Sequence, residues 1–219
     1  MSEATKAADA ATWDLIHQER ASIANTLAEL DDEQWTRVSA CGSWTVRQTA
    51  AHIVLGAEQT GPHFMARMAA NGFRFNTMID REARQGAKAA PTDLVARLRA
   101  RLTTVNKPPA PVATMLGEVV VHSDDIRRPL GLASSASAVA LVACLEMYKN
   151  SSFPLGTKKR IEGLRLVATD LDWTHGEGPE VAGPAMPLLT VMTGRPAGLE
   201  ALDGAGLPTL RRKSFSRSG

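Results

Sequence analysis

Glu118 and His122 lie four residues apart inside the apolar run Gly117-Glu118-Val119-Val120-Val121-His122. On a helix, residues at i and i+4 project from one face, one turn apart. A carboxylate and an imidazole at that spacing can hold one divalent metal. A third candidate lies upstream, where His52 closes the stretch Ser43-Trp44-Thr45-Val46-Arg47-Gln48-Thr49-Ala50-Ala51-His52 and Ile53 continues it. Two histidines and one glutamate make a three-ligand set with coordination positions left open, which is a catalytic rather than a structural pattern.

The bland alternative for Glu118 and His122 is a solvated ion pair. A helical count argues against it. With Glu118 at zero and about 100° per residue, His122 falls at about 40°, Asp125 at about 340°, and Met115, Ile126 and Val119 at about 60–100°. Asp124, Arg127 and Arg128 occupy the opposite sector, which reads as the solvent face. Glu118 and His122 therefore share the sector of the core residues, where an uncompensated carboxylate costs several kcal/mol, on the order of a strongly destabilising mutation. A metal compensates it, and a buried Glu–His pair is the remaining alternative.

His52 must be positioned by its own helix. Thr45 with Gln48 forms a capping-box signature. Val46, Ala50, Ile53, Ala57, Phe64 and Met68 recur at helical spacing as a core stripe. Gln48, His52, Gly56, Gln59 and His63 form a stripe beside it, with Gly56 leaving room one turn beyond His52. His63, eleven residues on, lies about 16 Å from His52 along the axis and cannot share its ion. His17, His63 and His175 read as ordinary polar residues.

With these residues in hand, the chain resembles the DinB/YfiT-like superfamily of metal-binding helical bundles and, within it, the actinobacterial mycothiol-dependent maleylpyruvate isomerase-like family. Three stretches carry the likeness: Cys41-Gly42-Ser43-Trp44-Thr45-Val46-Arg47 with Ala51-His52-Ile53; Gly117 to His122 with Asp125-Ile126-Arg127-Arg128-Pro129-Leu130-Gly131; and Gly163 to Asp170 with Trp173, Gly176, Gly178, Gly183-Pro184 and Gly194-Arg195. The resemblance implies a metal triad of His52, Glu118 and His122, with mycothiol as cosubstrate. It does not encode the electrophile, because fold does not settle function.

The chain has 219 residues and a net charge of +2. That length holds one large domain or one and a half. The mixed charges give no basic stripe and no reason to expect nucleic acid. The start of the chain lacks an apolar signal region. The longest apolar run, Ala138 to Leu145, is far short of a membrane span, so a cytoplasmic protein is expected, as a monomer or homodimer. Cys41 and Cys144 form no metal or disulfide framework. Cys144 reads as core, and Cys41 lies where it could approach the site.

The expected fold is mainly α, a DinB-like up-and-down four-helix bundle with an extra helix and a small C-terminal α+β appendage. The bundle is expected over 1–155, the appendage over 160–213 and a tail over 214–219. Helices are expected at about 8–30, 45–70, 91–104, 112–128 and 134–150, with a short one near 77–84. A strand is expected over 163–170 with Leu164, Leu166 and Ala168 on one face, a helix near 185–193 and a last strand at 207–211. The composition change after about residue 160 marks the appendage.

An open three-ligand site can acidify water, polarise a carbonyl or bind a thiolate. The resemblance favours the third, giving a transferase or isomerase acting on a small electrophile. The alternatives are a hydrolase using metal-bound water, and a non-enzymatic metal- or thiol-binding protein. Zn²⁺ is the expected metal, although two histidines and a carboxylate also suit Fe²⁺. Asp125, one turn from the ligands, either orients a ligand histidine or is a polar helix-end residue. Arg195, after Gly194, either grips a substrate carboxylate or caps helix carbonyls. Asp170 and Trp173 read as structural.

Overall fold

The computed structural model of the chain describes residues 2–152 and 155–215. The chain divides into two compact units, Met1–Ser135 and Ala136–Gly219.

In the first unit the helices are α1 (Glu3–Ala28), α2 (Asp32–Thr36), α3 (Val46–Glu58), α4 (Gly61–Ala70), α5 (Phe75–Gly86), α6 (Pro91–Arg99) and α7 (Val112–Arg127). Helices α1, α7, α3 and α6 each pack on the next and α6 returns to α1. This ring is a four-helix bundle in which α1 and α3, and likewise α6 and α7, lie across from each other rather than side by side as a simple up-and-down order expects, and α5 is an extra helix laid on α3. The core is apolar by pattern: Ile16, Ile23 and Leu27 from α1, Val46, Ala50 and Val54 from α3, Leu94 and Leu98 from α6, and Leu116 and Ile126 from α7 are all fully or nearly fully buried.

Two expectations for this unit are corrected. The single helix over 45–70 is two helices, broken at Gln59 and Thr60, whose backbones are extended (ψ 137° and 160°). Pro62 sits in the first turn of α4; it lacks an N–H and disfavours the helical state for the residue before it, so a helix begins there rather than passing through. The core stripe consequently ends at Ala57, and Phe64 and Met68 ride on a helix with no buried residue. The second correction concerns α7. Its supposed solvent face is buried: Asp124 and Arg127 are 5% and 3% exposed. Arg127 Nη2 donates to Ser22 Oγ and Thr26 Oγ1 of α1, at 3.0 and 2.9 Å, and Asp124 accepts from Arg128. Helix α7 lies between α1 and α3, so charges on its far side are inward and paired, as burial requires.

The second unit contains α8 (Ala138–Tyr148), α9 (Thr157–Ile161), β1 (Arg165–Ala168), β2 (Thr174–His175), β3 (Glu180–Gly183), α10 (Ala185–Met192) and α11 (Leu207–Phe215). Strand β1 is central, antiparallel to β2 and parallel to β3. Leu164, Leu166 and Ala168 are buried on one side, as their alternation requires. The glycines between β2 and β3 are needed by close approach. A Cβ on Gly176 (φ +81°) would lie 2.3 Å from Leu164 O, and one on Gly178 (φ +124°) 2.4 Å from Gly163 O.

The expected bundle runs to 155 and includes helix α8. That helix packs instead on α10 within the second unit. An apolar Ala/Leu helix carries no mark of which core it serves. The last strand, expected at 207–211, is the helix α11. Pro208 cannot donate to a ladder, and Leu210 N donates to Gly206 O to open the helix. Strand β3 pairs instead with Asp203 through an isolated bridge to Ala182. The tail expected at 214–219 lies from 216 onward outside the described residues, and 214–215 complete α11. No helix among the described residues is long and apolar enough to cross a membrane.

Candidate metal centre

The site is assembled from one turn and two helices of the first unit. Residues 37–45 fold back on themselves: Ser39 N donates to Trp44 O and Val46 N to Arg37 O, each at 2.8 Å. Ala40 N donates to Asp125 O at 2.8 Å, fastening the turn to α7. Thr45 then caps α3 with the expected capping box, Gln48 N to Thr45 Oγ1 at 3.3 Å and Thr45 N to Gln48 Oε1 at 2.9 Å. The cap fixes where α3 starts, and His52 follows two turns later on the face toward α7.

His52, Glu118 and His122 meet. Each offers one ligand atom, and the three atoms lie within 4.8 Å of one another. Glu118 Oε2 is 3.0 Å from His52 Nε2 and 3.5 Å from His122 Nε2. The imidazoles stand edge to face, centroids 4.7 Å apart at 81°. Their side chains are 14% and 9% exposed, whereas Glu118 is 40% exposed, so the histidines form the floor and the carboxylate faces an opening. Asp125, fully buried, accepts from His122 Nδ1 at 2.9 Å. That bond holds a proton on Nδ1 and turns Nε2 toward Glu118.

The electrostatics match this geometry. Burial alone would push Glu118 up, but hydrogen bonds and charge from His122 and His52 hold it well below the usual carboxylate range. Burial alone would push His122 down, yet Cys41, Asp125 and Glu118 hold it well above the usual imidazole range. Two acids and a thiol therefore surround a position where positive charge is favoured. A divalent ion in place of the proton meets the same demand, and two imidazoles with a carboxylate are a standard donor set for one. The residues fit the metal.

A second group also has ligand character. Cys41, His122 and Asp125 offer atoms within 4.8 Å of one another. Cys41 reaches His122 because the turn at Gly42 (φ +60°) brings the loop back over α7. Trp44 has no site role in the sequence beyond its motif, but its ring lies 5.3 Å from His52 and 6.2 Å from His122. Its place directly before the α3 cap was the available signal.

The other candidates lie elsewhere. His17 stacks on Trp13, and His63 is exposed on α4. In the second unit His175 lies near Trp173, Trp173 Nε1 donates to Glu146, and Asp170 accepts from Ala185 N at the start of α10. Arg195 also belongs to the second unit, where its Nη1 donates to Thr193 O at 3.1 Å, the contact a helix-capping role requires.

Residues 16–113 match the family model described as the mycothiol maleylpyruvate isomerase N-terminal domain. That span contains Cys41, Trp44 and His52 and ends before Glu118 and His122. No curated protein matches the chain. Among solved structures, the mycothiol-dependent maleylpyruvate isomerase is similar at a TM-score of 0.62 and 16% identity, over 90% of this chain and 92% of that one. A histidine-to-alanine mutant of that enzyme gives a TM-score of 0.62 and 15% identity over the same shares. The fold is thus shared along nearly the whole chain, and the likeness to the maleylpyruvate isomerase family in sequence lies in residues 16–113, which match its N-terminal domain.

Proposed function

We propose that the protein is a metal-dependent, mycothiol-dependent isomerase or S-transferase acting on a small electrophile. The observation that carries the reading is the convergence of His52 Nε2, Glu118 Oε2 and His122 Nε2 at an opening, with Asp125 behind His122. The matched domain and the similar isomerase structures support mycothiol as the thiol. His52, Glu118 and His122 would hold the metal, with Zn²⁺ the ion that best suits them. A divalent ion bound there supplies a positive centre that lowers the pKa of a thiol offered to it.

The chain's own residues then have separable tasks. Asp125 keeps the proton of His122 on Nδ1. Glu118 compensates the positive charge and borders the opening. Buried His122 and the mostly covered His52, packed against the Trp44 ring, keep water from the floor of the site. The thiol sulfur adds to the electrophile; its later departure gives isomerisation, and its retention gives conjugation. Arg195 is proposed to grip a substrate carboxylate, a role for which its contact with Thr193 is the competing explanation.

The test is turnover of a small panel of activated olefinic and oxo acids by metal-loaded protein, with and without mycothiol. Turnover that requires both metal and thiol supports the reading. Equal turnover without thiol replaces it with the hydrolase, and metal binding without turnover of any panel member favours a binding protein.

A further inference from the structure

We propose that Trp44 is a positioning residue for both histidines of the triad and that Asp80 is its anchor. The inference rests on reading the triad as a metal site, but the arrangement is visible without a metal. Trp44 is 8% exposed, although the turn that carries it is open at Gly42 and Ser43. Its ring approaches His52 at 5.3 Å with a tilt of 53°, and His122 at 6.2 Å nearly parallel, at 30°. The imidazoles themselves meet edge to face. The three rings are mutually packed, so neither imidazole turns about its own axis without meeting another ring.

The indole is held from a different element. Its Nε1 donates to Asp80 Oδ1 at 2.8 Å. Asp80 lies on α5, the helix laid on α3 that contributes no residue to the triad. Arg84, one turn further along α5, donates from Nε to both Asp80 oxygens at 3.1 and 2.9 Å. Its Nη2 also reaches Ser43 Oγ at 3.3 Å, one residue before Trp44. Arg84 and Asp80 therefore grip the turn at two consecutive residues.

As an ion pair, Asp80 and Arg84 have little to do. Both side chains are about half exposed, and such pairs contribute little to stability. What the pair adds is direction: a fixed acceptor for the indole, and through it a fixed wall for both imidazoles. Partners one step removed from a metal commonly tune it by orienting its ligands. The chain Arg84–Asp80–Trp44 extends that logic across to α5.

The test compares Asp80→Ala, Asp80→Asn, Trp44→Leu and Trp44→Phe with wild type. Asp80 is a half-exposed surface residue, so its variants retain the fold, which circular dichroism checks. In metal-free protein, nuclear Overhauser contacts between the Trp44 indole and the ring protons of His52 and His122 read positioning directly. They should weaken or multiply in Asp80→Ala and return in Asp80→Asn, which keeps an acceptor oxygen. Co²⁺ affinity should fall roughly tenfold in Asp80→Ala and in Trp44→Leu, with Trp44→Phe between Trp44→Leu and wild type. Wild-type ring contacts in Asp80→Ala overturn the proposal whatever the metal does. If the contacts respond to Asp80 but wild type takes up no Co²⁺, the positioning role stands and the metal reading falls.

Discussion

Replacing Asp125 with asparagine removes one charge and almost no volume from the back of His122. In the structure Asp125 is fully buried and accepts from His122 Nδ1 at 2.9 Å. A hydrogen bond to a charged group contributes about 1.5–3 kcal/mol and a neutral one about 0.5–1.5 kcal/mol. Asparagine keeps an oxygen that can accept from Nδ1, so the loss is the difference, about 1–1.5 kcal/mol. At about 1.4 kcal/mol per decade, metal affinity should weaken roughly tenfold, within the span typical of residues that orient a metal-binding histidine. The assay is Zn²⁺ competition against a chromophoric chelator at constant pH, with the unfolding midpoint of the metal-free protein as a control for the fold. Unchanged affinity would refute the orienting role. Loss of binding altogether would refute it in the other direction, making Asp125 a ligand in its own right, as the Cys41–His122–Asp125 group allows.

Further outcomes follow from the same geometry. His122 is held above its ordinary value of 6.5 and Glu118 below its ordinary value of 4.5. The His122 contribution is therefore complete below about pH 6.5 and lost as pH rises through the raised value, whereas that of Glu118 is complete above about pH 4.5 and lost as pH falls through the lowered one. Metal-free protein should thus show urea midpoints that decline above neutrality, and a metal should reverse that decline because ligation requires unprotonated His122; midpoints that climb in metal-free protein from pH 6.5 to 9 would contradict the assignment. Cys41→Ser with Cys144→Ser should leave most turnover in place, since the cosubstrate supplies the reacting sulfur; turnover lost with Cys41→Ser while metal content holds would make Cys41 part of the chemistry. Arg195→Lys, which keeps the charge but not the fork of two parallel donors, should raise KM for a carboxylate substrate about tenfold with little change in kcat; an unchanged KM would leave Arg195 as a helix cap.

What the sequence disclosed, it disclosed through local rules. The i,i+4 pair of Glu118 and His122 survives because α7 is a regular helix, and His52 is placed by a capping box that reads directly from Thr45 and Gln48. The alternation of Leu164, Leu166 and Ala168 marked β1 for the same reason. What escaped depends on packing between elements. The charges of α7 opposite Glu118 looked solvated, yet α1 buries them, and nothing in α7 itself announces that neighbour. Helix α8 could serve either core. Trp44 and Cys41 gain their meaning from a turn that folds back over α7, and Asp80 from a helix that contributes nothing else to the site. The break at Pro62 and the helix at Pro208 are both written in prolines, which override the apolar periodicity around them.

The most direct test of the central claim is metal stoichiometry of the purified protein beside its His52→Ala/Glu118→Ala/His122→Ala variant, by inductively coupled plasma mass spectrometry after equal exposure to Zn²⁺. Convergence of three donor atoms within 4.8 Å predicts one tightly held ion per wild-type chain and essentially none in the variant. Full occupancy in the triple variant, or no retained metal in wild type, would contradict it.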